Sequence, residues 1–240
     1  MQWTLEIFLL TNFILILSSI LQMATGVSVG MIIVPFLAMI SYTLIPVPIV
    51  FASLTLTIMM TYQGREYIDT RNTPEISIGM LIGIFIALYL LKNIHFEYLG
   101  LIFGLFILLS VFISLKIKAF TLGKKVNYTG GIIAGIMGTM AAVGGQILAL
   151  LFQHYSVNAL KANLAFLYTI FSVVMLVTFY LFDKFTYSQM ISGIYMMPGF
   201  IIGFFISPIF AKYFNPKYSK TVVLSMATFG ALTLIIKTIL

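Results

Sequence analysis

The chain of 240 residues is 61% hydrophobic and 8% charged, against roughly a quarter charged in a soluble domain. That excludes a soluble globular protein and makes the whole chain one integral membrane unit. A formal charge of +7 spread over connecting segments, with no basic–aromatic platform, serves orientation in a bilayer and not nucleic-acid binding, and zero cysteines exclude disulfides, thiolate metal sites and cysteine nucleophiles.

Apolar runs long enough for helices across a bilayer, which need about 20 residues, come in chain order. The first, 5–24, carries Glu6 and no basic start or cleavage pattern, so it is expected to be a retained span. It runs into a polar, glycine-rich interruption, Gln22 to Gly30, followed by a short apolar piece at 29–43. Segments at 47–62, 75–92 and 97–115 follow. A basic linker, 116–127, then separates a first half (1–115) from a second (128–240). The region 128–153 is again broken, by Gly138-Thr139 through Gly144-Gly145-Gln146, and segments at 158–182, 187–211 and 218–238 complete the chain.

The two interruptions occupy matching places in the two halves. Paired breaks in corresponding apolar segments are the best pointer a sequence offers to a transporter's midplane site. The expected fold is an all-α polytopic membrane protein with about eight to ten transmembrane or re-entrant segments in two repeats. Arg65 and Arg71, Lys116 to Lys125, and Lys212, Lys217 and Lys220 form three basic loops, which the positive-inside rule puts in the cytoplasm. That choice makes 128–153 return to its starting side as a hairpin. If 5–43 also contributes two passes the repeats are inverted, the version favoured here; one net crossing for each broken region leaves them parallel.

The six acidic residues, Glu6, Glu66, Asp69, Glu75, Glu97 and Asp183, all lie in loops or near segment ends. A cation pathway built on a buried carboxylate is therefore disfavoured. The breaks suit an anion: a helix starting inside the membrane presents free N–H groups and a positive dipole end. Thr25, Gly26, Ser28 and Gly30 are candidates in the first half, and Thr139, Gly144, Gly145 and Gln146 in the second. On the helices that follow, Ser53 and Thr57 share a face, and Lys161 and Asn163 are the second-half counterparts. The plainer readings are definite. Gly26-xxx-Gly30, Gly79-xxx-Gly83, Gly100-xxx-Gly104, Gly131-xxx-Gly135 and Gly199-xxx-Gly203 all fit helix packing. Ser53 and Thr57 can bond their own helix, Asn163 can serve as interhelical glue, and Lys161 can snorkel to headgroups. His95 and His154 read as surface histidines. Trp3, Tyr42, Tyr67, Tyr187 and Tyr213 are placed as interfacial anchors.

No metalloprotease, P-loop or serine-hydrolase motif is present, so no enzyme, metal site or cofactor is expected. The arrangement Thr25-Gly26-Val27-Ser28 through Gly30 to Pro35, the glycines Gly131, Gly135, Gly138 and Gly144-Gly145, and the stretch Lys161-Ala162-Asn163-Leu164 resemble the TauE/SafE family of sulfite and sulfonate exporters over nearly the whole chain. Ala141, Ala142 and Gln146 stand where that family's second break is usually richer in glycine and often followed by proline. The resemblance implies outward transport of small sulfur-containing or other organic anions, driven by the membrane potential or proton gradient. Secondary transport by alternating access is thus the expected function, in a cell inner or plasma membrane. A small anion and the lipid bilayer are the expected partners, and a homodimer is admitted. The alternatives are a membrane scaffold whose glycines only pack helices, and a passive anion channel.

Overall fold

The computed structural model describes residues 3–25, 30–93, 95–116, 123–211 and 216–239. Gly26 and Ser28 of the first break, and Tyr213, lie outside the described residues. The described chain forms ten α-helices: α1 (Leu5–Thr25), α2 (Gly30–Ile40), α3 (Val47–Gly64), α4 (Thr73–Lys92), α5 (Leu99–Lys116), α6 (Lys124–Ala141), α7 (Gly145–Leu151), α8 (Val157–Leu181), α9 (Tyr187–Ala211) and α10 (Pro216–Ile239). Six of them, α1, α3, α4, α5, α8 and α9, are long and apolar enough to cross a membrane. Phe13, Phe112, Phe205 and Phe229 are more than half exposed, the outward apolar surface that lipid contact requires.

Local chemistry sets the boundaries. Pro48 lies in the first turn of α3 and Pro74 in that of α4, where a missing N–H costs nothing. Ser156 caps α8 by accepting from the Ala159 N–H at 3.3 Å. α6 starts at Lys124, inside the stretch read from sequence as linker, and takes Lys124, Lys125 and Asn127 into its first turns. It stops where Ala142 adopts a left-handed φ of 54°. The Ala142 and Val143 N–H groups fold back onto the Gly138 and Met137 carbonyls, a Schellman closure that turns the chain.

Close glycine contacts fix the directions of the helices. Cβ atoms added at Gly79 and Gly83 would strike the backbone of α6 at Tyr128–Gly131 and Ile132–Ile136; those added at Gly131 and Gly135 would strike α4 at Ile76–Met80 and Met80–Gly83. Positions advance together, so α4 and α6 run parallel, backbone against backbone. α1 and α9 are parallel in the same way. Gly199 meets Asn12 and Leu15, and Gly203 meets Ile16 and Ser19. α5 and α10 are antiparallel, with Gly100 beside Thr238 and Gly104 beside Ile235 and Ala231.

The broken regions both double back. Gly144 packs on the Ala134 carbonyl and Gly130 on Leu151, so α7 returns along α6. Asn127 at the start of α6 donates to Asn72 at 2.9 Å, and Asn72 donates to Tyr155, beyond α7, at 3.3 Å. This hairpin therefore opens at the end where α3 finishes and α4 begins. The α1–α2 pair opens at the other end. There Trp3 donates to Ser192, Tyr42 lies against Gly100, and Pro48 and Phe51 pack on Gly193. Arg65, Arg71, Lys116, Lys124, Lys125 and Lys161 all belong to the first of these ends, which is called the basic end below.

Candidate functional site

The hairpins converge on a central cavity of about 80 Å³, well above the 10–15 Å³ or so that one water requires. Gln22 and Gly30 reach it from the first hairpin, and Gly138, Ala142, Gly144 and Gly145 from the second. Ser53 and Thr57 of α3, Tyr168 and Ser172 of α8, and Phe200 of α9 complete much of the wall. No Asp, Glu, Lys, Arg or His lines it among the described residues. The short helices α2 and α7 both begin at this wall, at Gly30 and Gly145.

Five of the candidate anion-binding residues therefore meet in one place: Gly30, Ser53, Thr57, Gly144 and Gly145. Their hydroxyls are engaged locally. Ser53 Oγ donates to the Val50 carbonyl at 3.1 Å and Thr57 Oγ1 to the Leu54 carbonyl at 3.1 Å. In this state they offer the cavity lone pairs, and each must rotate off its carbonyl to donate to an anion.

The other candidates sit elsewhere. Thr139 and Gln146 flank the second break but do not line the cavity; both are buried, and Thr139 Oγ1 and Gln146 Nε2 have no hydrogen-bond partner among the described residues. Asn163 is fully engaged in joining segments. It accepts from the Asp69 N–H at 2.9 Å and donates to the Tyr67 carbonyl at 3.3 Å and the Ala159 carbonyl at 2.7 Å. Lys161 lines a second cavity. Thr25 ends α1 next to the undescribed Gly26 and Ser28.

Sequence reasoning missed Gln22 as a lining residue, although it opens the first polar interruption. It also missed Tyr168, Ser172 and Phe200, whose signals, a tyrosine, a serine and a phenylalanine within apolar helices, are indistinguishable from ordinary packing. The glycine-xxx-glycine pairs of α4, α5, α6 and α9 do pack helices, as the plainer reading held.

At the basic end, Asp69 holds Arg71 through its side chain at 2.7 Å and accepts from the Tyr155 hydroxyl at 3.1 Å. Hydrogen bonds from the Arg71 side chain and N–H keep the Asp69 carboxyl well below the ordinary carboxylate range. Burial pushes the Tyr155 phenol up. No group of His and carboxylates able to hold a metal occurs among the described residues.

A protein-family model, Sulfite exporter TauE/SafE, matches residues 12–234. No individual curated protein and no solved structure matches the chain.

Proposed function

The chain belongs to the TauE/SafE sulfite exporter family, is a multi-pass membrane transporter and not an enzyme, and from that premise we propose that it moves a small sulfur-containing or organic anion outward by alternating access through the central cavity. The observation that carries this reading is the meeting of Gly30 with Gly144 and Gly145 in one cavity that no ionised side chain lines among the described residues. A desolvated anion needs oriented donors more than it needs a buried cation that would hold it too tightly to release. The starts of α2 and α7 both lie at this wall, where backbone N–H groups favour an anion.

Alternating access between inverted repeats is supported by the helix pairings. Exchanging α1–α5 with α6–α10 maps the α4–α6 contact onto α9–α1, and the α3–α8 and α5–α10 contacts onto themselves. The glycine contacts follow the same exchange: Gly79 on Gly131 corresponds to Gly199 on Leu15, and Gly83 on Gly135 to Gly203 on Ser19. Hairpins opening at opposite ends are what inversion of the halves 1–115 and 128–240 requires. The basic end is the cytoplasmic one by its charge.

The test is twofold. Sulfite, thiosulfate, sulfoacetate and short carboxylates are screened for ligand-dependent thermal stabilisation of the purified protein, since binding to the folded state alone raises stability. Flux is then measured for Gly145→Leu in proteoliposomes. The expected result is stabilisation by at least one anion and loss of flux with the folded protein retained. Normal flux through Gly145→Leu removes the cavity from the transport path.

A further inference from the structure

A second cavity, of about 340 Å³, lies on the basic-end side of the first. Its rim carries the exposed Gln63, Tyr67 and Asn158, and its floor the buried Met60, Ala162 and Ser207. Lys161 is half-buried in its wall. The two cavities are stacked along the same four helices. On α3, Met60 follows Thr57 by one turn; on α1, Met23 adjoins Gln22; on α9, Ser207 lies two turns beyond Phe200; on α8, Lys161 precedes Tyr168 by two turns. Two turns of helix are about 11 Å, so the second cavity opens toward the basic end while its floor approaches the central one.

Its charge is one-sided. Lys161 has no carboxylate partner among the described residues, and no Asp or Glu lines the cavity. Asp69, in the loop after α3, is taken up by Arg71. Arg65 is turned away, donating to the Tyr62 carbonyl at 3.0 Å and stacked 4.6 Å over its ring. A lysine serving only to reach headgroups has no need to line a concave space with Gln63, Asn158 and Ser207 beside it.

We infer that this cavity is a recruiting vestibule: Lys161 draws the anion in from the basic end and holds it beside Gln63 and Asn158, and the anion then passes Met60 and Met23 to the central cavity. The inference rests on the transport reading above and adds a second, separate anion station. A lone ammonium at a half-wet site raises the local anion concentration and the encounter rate, and it releases the anion onward because water still shares the site.

The absence of cysteine makes a direct test available in the native chain. Flux of sulfite from the basic-end side is measured in proteoliposomes for Lys161→Gln, Lys161→Arg, Asn158→Glu and Lys161→Cys, the last before and after thiol modification. Lys161→Gln, Lys161→Cys and the rim variant Asn158→Glu are expected to raise KM about three- to tenfold with kcat nearly unchanged, and Lys161→Arg to retain the native KM. A cationic aminoethyl thiosulfonate reagent on Lys161→Cys should restore KM, an anionic sulfonatoethyl reagent should raise it further, and the salt dependence of KM should flatten in Lys161→Gln. An unchanged KM in Lys161→Gln, or equal rescue by a neutral methyl reagent, overturns the vestibule. If that happens while Gly145→Leu abolishes flux, the central cavity stands without it; if Gly145→Leu is active and the Lys161 effects hold, the reverse applies.

Discussion

The two hairpins share one architecture and are held by different chemistry. The α6–α7 hairpin is fastened at its open end by a polar network: Asn127 to Asn72, Asn72 to Tyr155, Tyr155 to Asp69, and Asp69 to Arg71. The α1–α2 hairpin is fastened by aromatic packing and a few buried amide bonds. Trp3 lies 5.3 Å from Tyr195, and Tyr42 lies 6.4 Å from Phe103. Asn12 donates to the Phe8 and Tyr195 carbonyls and accepts from the Gly199 N–H at 2.6 Å. The outer part of that network, at Tyr155, Asp69 and Arg71, exchanges partners with water at small net cost, about 1 kcal/mol per bond, whereas buried amides, Asn127 and Asn12 among them, and stacked rings have no such substitute. The difference teaches that the basic end is the one whose fastenings come undone more readily.

The comparison is sharpened first at the helix seams. Gly135→Leu should be the most damaging substitution, because its Cβ meets the Met80 backbone and α4 cannot yield without leaving α6. A loss of about 4 kcal/mol or more is expected, read as failure to recover detergent-stable protein. Recovery of normal yield would break the parallel α4–α6 assignment. Next comes Asn12→Ala, which strips the Gly199 N–H of its acceptor within the bundle. It should cost about 2–3 kcal/mol, measured as a lowered thermal midpoint.

At the basic end the effects should be smaller. Tyr155→Phe should cost about 1 kcal/mol in the same thermal assay, and its double variant with Asn72→Ala should fall short of additivity because the two side chains bond each other. If Tyr155→Phe equals Asn12→Ala, the contrast between the hairpins fails.

Acid should act on one end only, and least of all. Asp69 is depressed in the folded protein, so the stabilisation it provides is fully present above the ordinary unfolded value near 4 and is lost as pH falls below it. Protection factors of the amides in residues 68–72, corrected for the intrinsic pH dependence of exchange, should fall below about pH 4 and stay flat between pH 5 and 8. Asp69→Asn should abolish that acid dependence while keeping most of the flux, as expected of a loop carboxylate.

The glycine seams and both breaks were legible from particular residues. Gly79-xxx-Gly83, Gly131-xxx-Gly135 and Gly199-xxx-Gly203 state close approach whatever the partner is, because only a missing Cβ permits it. The partner itself was not legible, since the spacing is the same on α4, α5, α6 and α9. Asn163 illustrates the limit. Its sequence place matches Ser53, yet it bonds to residues 67 and 69, a choice made by the loop that folds over it.

The amino-acid sequence by itself determined the bilayer setting, the positions of the long apolar helices, the two places where backbone geometry is interrupted and the lack of any carboxylate deep in a helix. These are local properties: apolar length, glycine content and charge are fixed residue by residue. Only the tertiary structure decided that each interruption reverses the chain, that the hairpins open at opposite ends, and that Lys161 belongs to a different cavity from Gly145. A short helix such as α7 carries no periodicity long enough to specify direction. That direction is set by Gly144 against Ala134, Gly130 against Leu151 and Tyr155 against Asn72, contacts whose free energy exists only once the chain has folded.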